Sequence, residues 1–183
     1  MTRILHTIHR LEITLVSFFM ASARNPASHG LARLFSKLGN LWIYPLVALG
    51  LIALDPKYGT IVIAIALGNV GILQFIYGPL KRRIMRRRPF QIHMKFRSAL
   101  PVLDEYSFPS GHIMTLTGVV IPIMLVFPAL VKLCLVVWIM MAWARIATGH
   151  HFVTDVIGGA LIGLCVSYPV STLAIYEIHR LSL

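Results

Sequence analysis

Three polar islands interrupt an otherwise apolar chain, and each holds residues able to handle an anion. The first is Lys81-Arg82-Arg83-Ile84-Met85-Arg86-Arg87-Arg88-Pro89. Lys81 and Arg88 are seven apart, which places them on one face of a helix. Pro89 disfavours helical backbone at Arg88, freeing that guanidinium to turn outward. Taken alone, such a run more often sets topology or touches anionic lipid heads. The second island, Phe108-Pro109-Ser110-Gly111-His112, opens an apolar stretch. Ser-Gly at a helix N-terminus offers backbone N–H groups and the positive end of the dipole, a ready anion site with a histidine beside it. A lone histidine there is more often an interfacial cap than a catalyst.

The third island runs from Arg145 to Asp155 through Gly149, His150, His151 and Thr154. Arg, His and Asp at a membrane boundary are costly unless paired or hydrated, so they mark a functional site by default. His151 and Asp155 are close enough in sequence for the carboxylate to accept Nδ1–H, which leaves Nε2 free as a nucleophile. His150 fits the same role by chemistry alone.

The elements that must position these islands follow from composition. Of 183 residues, 57% are hydrophobic and 13% charged, with 17 Lys+Arg against 6 Asp+Glu and a net charge of +11. A soluble domain carries about 25% charged residues, and a disordered chain lacks this much apolar surface. A nucleic-acid reader needs a soluble fold to present its basic face, so nucleic acid is not an expected partner. The remaining class is an all-α, polytopic transmembrane bundle forming a single domain over 1–183.

Runs free of Asp, Glu, Lys and Arg point to about five spans: Leu38–Leu54, Tyr58–Leu80, Ile113–Val131, Leu133 to about Thr148, and Val156–Tyr176. Trp42 and Tyr44 read as interface anchors of the first span. Asp55-Pro56-Lys57 and Phe127-Pro128 supply turns, Gly149 a helix stop, and Thr154 or Asp155 the last helix cap. Residues 1–37 read as an amphipathic segment. Ile4, Leu5, Ile8, Leu11, Leu15 and Phe18 recur at helical spacing between charges, which suits a helix lying in the interface better than a sixth span. Gly68 and Gly159-x-x-x-Gly163 are expected to let helices pack closely. Cys134 and Cys165 read as inert buried thiols, and residues 1–25 show no cleavable signal peptide.

Alternating spans bring all three islands to one end of the bundle. One pocket there would hold Lys81, Arg88 and Arg145, a helix N-terminus, two imidazoles and one acid. Such a set suits a phosphoryl group in transfer, where catalysis is mostly positioning and charge stabilisation. It offers no carboxylate cluster for Mg²⁺ and no His/Cys set for Zn²⁺, so neither metal nor other cofactor is expected.

Lys81 to Pro89 fits K-x6-R-P, Pro109 to His112 reads P-S-G-H, and Arg145 to Asp155 fits R-x5-H-x3-D. In that order, each at a span end, these motifs resemble the type 2 phosphatidic acid phosphatase (lipid phosphate phosphatase) superfamily over residues 38–176. The resemblance implies that Lys81, Arg88, Arg145, Ser110 and the Gly111 backbone bind phosphate oxygens. It makes His151 the nucleophile of a phosphohistidine intermediate, in preference to His150, and Asp155 its orienting acid. His112 would protonate the leaving oxygen and then activate water. Ala144 departs from the Ser that many members carry before the arginine. The N-terminus departs from relatives with six spans and is similar to small bacterial members of the undecaprenyl-pyrophosphate phosphatase kind.

The expected function is therefore metal-independent hydrolysis of a phosphate from a membrane lipid such as phosphatidic acid, phosphatidylglycerol phosphate, a polyprenyl phosphate or pyrophosphate, or lipid A. A lipid phosphotransferase and a non-catalytic lipid-phosphate carrier are the alternatives. The expected setting is a bacterial inner membrane. Five cations precede the first span, eight lie between the second and third, and only Lys57, Lys132 and Arg180 lie opposite. By the positive-inside rule this favours a cytoplasmic site, while the resemblance keeps the periplasmic face as the alternative, since many bacterial members of the family face that way. The Gln91–Ser107 loop, with His93, Lys95, Arg97, Asp104 and Glu105, is the expected gate or headgroup reader.

Overall fold

A computed structural model describes residues 2–40, 43–93, 96 and 104–181, with side chains in these ranges except at 2–6 and 8. The helices are α1 (Thr2–Ser22), α2 (Pro26–Leu38), α3 (Ile43–Leu54), α4 (Pro56–Ile84), α5 (Pro89–Ile92), α6 (Gly111–Val126), α7 (Val131–Ala147) and α8 (Val153–Leu181). A 3₁₀ turn at Pro128–Leu130 joins α6 to α7, and no strand occurs among the described residues. The all-helical expectation holds. Trp42, Lys95 and Arg97 lie outside the described residues.

Local chemistry explains the boundaries. Ser28 N–H donates to Asn25 Oδ1 at 2.7 Å and Tyr58 N–H to Asp55 Oδ1 at 2.9 Å. A proline follows each cap, at a position whose missing N–H has no partner to lose. Gly149, with φ 75°, stops α7 as expected. The last helix opens differently from expectation: α8 starts at Val153, and the Asp155 carboxylate reaches back to accept the Phe152 N–H at 2.8 Å.

The five apolar runs map onto α3, α4, α6, α7 and α8, but they are not equal. Three segments are long and apolar enough to cross a bilayer alone: Pro56–Ile92, Pro128–Ala147 and Val153–Leu181. α3 has 12 residues and α6 has 16, about 18 Å and 24 Å of rise against about 30 Å of hydrocarbon. The first predicted span, Leu38–Leu54, is broken: α2 ends at Leu38, a Gly39-Asn40 turn follows, and α2 and α3 meet at 74°. Polar Asn40 is drawn out of the apolar run by a bond described below.

α6 is the central helix, packed against α4, α7 and α8. Its contact with α8 is close because Gly159 and Gly163 lack side chains. A Cβ on Gly159 would lie 2.6 Å from the Ser110 carbonyl oxygen, and one on Gly163 would lie 2.7 Å from Thr117 Cβ. Asn69 of α4 ties the trio together, donating through Nδ2 to the Gly118 carbonyl at 3.0 Å and to Ser171 Oγ at 3.1 Å. A Cβ on Gly68, by contrast, would meet nothing within 4 Å among the described residues, so this glycine mediates no close packing. Cys134 is buried, whereas Cys165 is exposed rather than buried as expected.

α1 and α2 lie against α7. Ala23 and Ala32 pack on Ala144 and Ala147, and Trp143 Nε1 donates to Ser22 Oγ at 2.8 Å. On α1, Val16 and Glu12 are buried while Leu11, Leu15 and Phe18 are exposed. The exposed trio is the outer stripe expected of an amphipathic helix, and the buried face turns inward to the bundle.

Gly159→Ala is expected to destabilise the bundle by about 1–3 kcal/mol, the usual overpacking range, because backbone rather than a side chain must yield. Thermal unfolding in detergent should show the loss, with Gly68→Ala unchanged as the control.

Candidate functional site

The end of the bundle where α4, α7 and the start of α6 and α8 meet gathers all three islands. Lys81 sits in the last turn of α4, which stops at Ile84 because Met85 adopts left-handed backbone with φ 48°. Arg88 follows in extended conformation as the residue before α5. The expectation that Lys81 and Arg88 share a helical face is therefore corrected. They meet because the chain leaves the helix between them, and both bond the same carboxylate oxygen.

That oxygen is Oδ1 of Asp104. Lys81 Nζ donates to it, as does Arg88 Nη2 at 2.6 Å, while Tyr77 O–H donates to Oδ2 at 2.7 Å. Burial pushes the Asp104 carboxyl up, but the Lys81 and Tyr77 hydrogen bonds and the cations nearby outweigh it and hold it below the ordinary carboxylate value. A carboxylate thus occupies two of the cations expected to bind phosphate.

The α6 N-terminus faces this cluster. Ser110 is fully buried, its N–H donates to the Asp155 carbonyl at 2.9 Å, and its Oγ has no hydrogen-bond partner among the described residues. Gly111 passes so close to Tyr77 that a Cβ there would lie 2.8 Å from the ring and its hydroxyl. His112 Nε2 lies 2.7 Å from Asn40 Oδ1, within hydrogen-bond reach.

Arg145, in the last turn of α7, donates through Nη1 to Ser36 Oγ at 2.5 Å, while its Nε is buried without a partner among the described residues. Its Nη2 lies 3.3 Å from His151 Nε2, and Arg88 Nη1 lies 3.5 Å from the same nitrogen. Arg88 Nη1 also donates to the His150 carbonyl at 2.8 Å. Guanidinium N–H groups only donate, so both contacts suit Nε2 as the acceptor nitrogen of the ring. Burial first, then Arg145, Arg88 and Lys81, holds the His151 imidazole well below its ordinary value.

Asp155 is fully buried, but its Oδ2 lies 3.7 Å from His151 Nδ1. The direct hydrogen bond expected between them is not formed at this separation, and both carboxylate oxygens carry other bonds. Oδ2 accepts from Phe152 N–H, and Oδ1 accepts from Arg86 Nη1 at 2.7 Å. Arg86 in turn bonds Glu12 and Thr154.

The structure thus brings together every residue expected at the site: Lys81, Arg88, Ser110, Gly111, His112, Arg145, His151 and Asp155. It adds partners that sequence reasoning missed, namely Asn40, Ser36, Tyr77, Arg86 and Glu12. The only signal for Glu12 was an acid alone on an amphipathic helix, which at a membrane boundary demands a partner. Among the described residues no three of His, Cys, Asp and Glu converge in a metal-binding group. The arrangement can hold a tetrahedral anion between fixed cations and a helix N-terminus, with a neutral imidazole nitrogen aimed into it.

Residues 60–178 match the PAP2 superfamily. The chain belongs to that superfamily. Membership bears out the resemblance carried by the three motifs, and with it the reading of an enzyme of the lipid phosphate phosphatase class. An undecaprenyl-diphosphatase of Sulfolobus acidocaldarius is 25% identical over 143 residues, covering 76% of this chain and 68% of the relative. The crystal structure of a transmembrane PAP2-type phosphatidylglycerolphosphate phosphatase from Bacillus subtilis aligns with a TM-score of 0.49 at 23% identity, covering 88% of this chain and 93% of that one.

Two outcomes follow from the electrostatics. An incoming anion competes with Asp104 for Lys81 and Arg88, so Asp104→Asn is expected to tighten vanadate binding by roughly tenfold, read by calorimetric titration. Below about pH 6.5 the unfolded chain protonates His151 and the folded chain does not. The unfolded state then binds more protons, so stability falls with acidification. Unfolding temperature should drop between about pH 6.5 and 5, and His151→Gln should flatten that drop.

Proposed function

We propose that this chain hydrolyses a phosphate or diphosphate group from a membrane lipid through a phosphohistidine on His151. The observation that carries the reading is the His151 Nε2 lone pair facing the guanidinium groups of Arg88 and Arg145. A phosphoryl group seated among Lys81, Arg88, Arg145, Ser110 Oγ and the Gly111 N–H has its phosphorus beside that nitrogen. The Nε2–P bond forms as the P–O bond to the lipid breaks, and His112 gives the leaving oxygen a proton. The same histidine then takes a proton from water, whose oxygen attacks phosphorus and frees Nε2 and inorganic phosphate. The cations stabilise charge on the equatorial oxygens, so the step draws on groups already in place and needs no metal.

The site lies at the end of helices whose flanks are apolar, so a substrate whose tail stays in the bilayer reaches it without leaving the lipid. A polyprenyl diphosphate is the preferred substrate class, in keeping with the name of the Sulfolobus relative, with glycerophospholipid phosphates next. The cation excess at this end supports a site on the cytoplasmic face of a bacterial inner membrane.

Phosphate release from a short-chain lipid phosphate, measured with malachite green in EDTA, is the test. Wild type is expected to turn over and to be blocked by vanadate. His151→Ala should lose all detectable activity, and His112→Ala about 10²–10⁴-fold, the usual share of acid–base catalysis. Full turnover by His151→Ala overturns the nucleophile. Binding of the lipid phosphate with no release would favour the carrier reading.

A further inference from the structure

Asp155, the acid expected to orient His151, bonds an arginine rather than the imidazole. Arg86 lies in the turn after α4, outside the three phosphate-facing cations, and its guanidinium is fixed on every side. Nη1 donates to Asp155 Oδ1 at 2.7 Å and to Thr154 Oγ1 at 2.6 Å, and Nη2 donates to Glu12 Oε2 at 2.5 Å. The plane lies over the Phe152 ring, 4.2 Å from its centroid. Glu12 accepts a further bond, from the Thr154 hydroxyl. Glu12 is only 6% exposed, so this is a built ion cluster and not a surface pair.

We infer that Glu12 of α1 and Arg86 form a positioning unit that aims Asp155 at His151 and sets the strength of its pull. The inference rests on the proposed role of His151. Arg86 fixes the aim of the carboxylate, and Glu12 sets the charge that the aimed group carries. Arg86 alone would neutralise Asp155 and weaken its hold on the Nδ1–H. Glu12 offsets Arg86, leaving the trio with one net negative charge beside a neutral imidazole. When Nε2 gains a phosphoryl group the ring becomes cationic, and that negative charge is what stabilises it. The 3.7 Å separation of Asp155 and His151 closes in that state, since catalytic hydrogen bonds often tighten only on the reaction path. The geometry also gives α1 a task beyond lipid contact: its outer stripe meets the bilayer while its inner face delivers a carboxylate to the site.

The test is a double-mutant cycle on lipid phosphate hydrolysis by the full chain in detergent micelles, with vanadate-binding stoichiometry counting intact sites. Glu12→Gln should lower kcat per intact site about tenfold and Arg86→Gln about tenfold to hundredfold, as for other outer partners that orient a working histidine. KM should stay within about twofold, because neither residue touches phosphate. Glu12 acts through Arg86, so the double variant should match Arg86→Gln alone, whereas an independent packing role makes the losses multiply. Arg86→Lys should recover part of kcat. The unit is overturned if Glu12→Gln keeps wild-type kcat or if the two losses multiply. An inactive wild type would overturn both the unit and the reading beneath it; an active wild type with indifferent variants would overturn the unit alone.

Discussion

Three buried cations around one imidazole are the constraint from which the rest of this structure follows. Lys81, Arg88 and Arg145 repel one another and have lost most of their water, an arrangement that persists only with compensation. The protein supplies little: Asp104 bonds Lys81 and Arg88, the His150 carbonyl adds a second partner for Arg88, and Ser36 bonds Arg145. The residual positive charge is a standing demand for an anion. Alongside burial, it also lowers the proton affinity of His151, so the charge that would draw an anion to this end also favours the neutral imidazole.

Holding such a cluster requires stiff supports close together, and the helix contacts provide them. Gly159 lets α8 press against the Ser110 carbonyl, so the first turn of α8, with Asp155, and the first turn of α6 are set by one backbone contact. Asn69 secures the same helices farther from the site. Ser110 N–H bonds the Asp155 carbonyl and Ser107 N–H bonds the Arg86 carbonyl, which stitches the loop before α6 to the two islands on either side. Asn40 interrupts an apolar run to meet His112, so the bend between α2 and α3 belongs to the site as much as to the fold.

The site's membership was legible from spacing because each motif falls at the end of an apolar run, and helix ends on one side of a bundle have to meet. The helices themselves were legible for the same reason. What the sequence concealed was pairing. Nothing about Met85 announces left-handed backbone, as a glycine would, so the basic run read as a continuous helix past Ile84. The His151–Asp155 spacing was compatible with a direct bond, and only the placement of Arg86 shows that the carboxylate is already engaged. Glu12 lies more than seventy residues from Arg86, and helical periodicity reports which face is apolar, not what the polar face touches. The loop acid Asp104 was noted but read as a gate, because its two cations belong to different local structures.

The outward surfaces of these helices have a different consequence. Side chains such as Leu46, Phe75, Leu133 and Leu161 are largely exposed, and towards a bilayer one apolar side chain serves as well as another. Substitutions there leave the helix ends unmoved. The positions that must keep their side chains are then few, gathered at one end with the glycines that seat them, and the remaining surface needs only to stay apolar. Divergence to about a quarter identity between this chain and the Sulfolobus relative is what such a division of labour produces, and most of the differences between the two are expected to be silent.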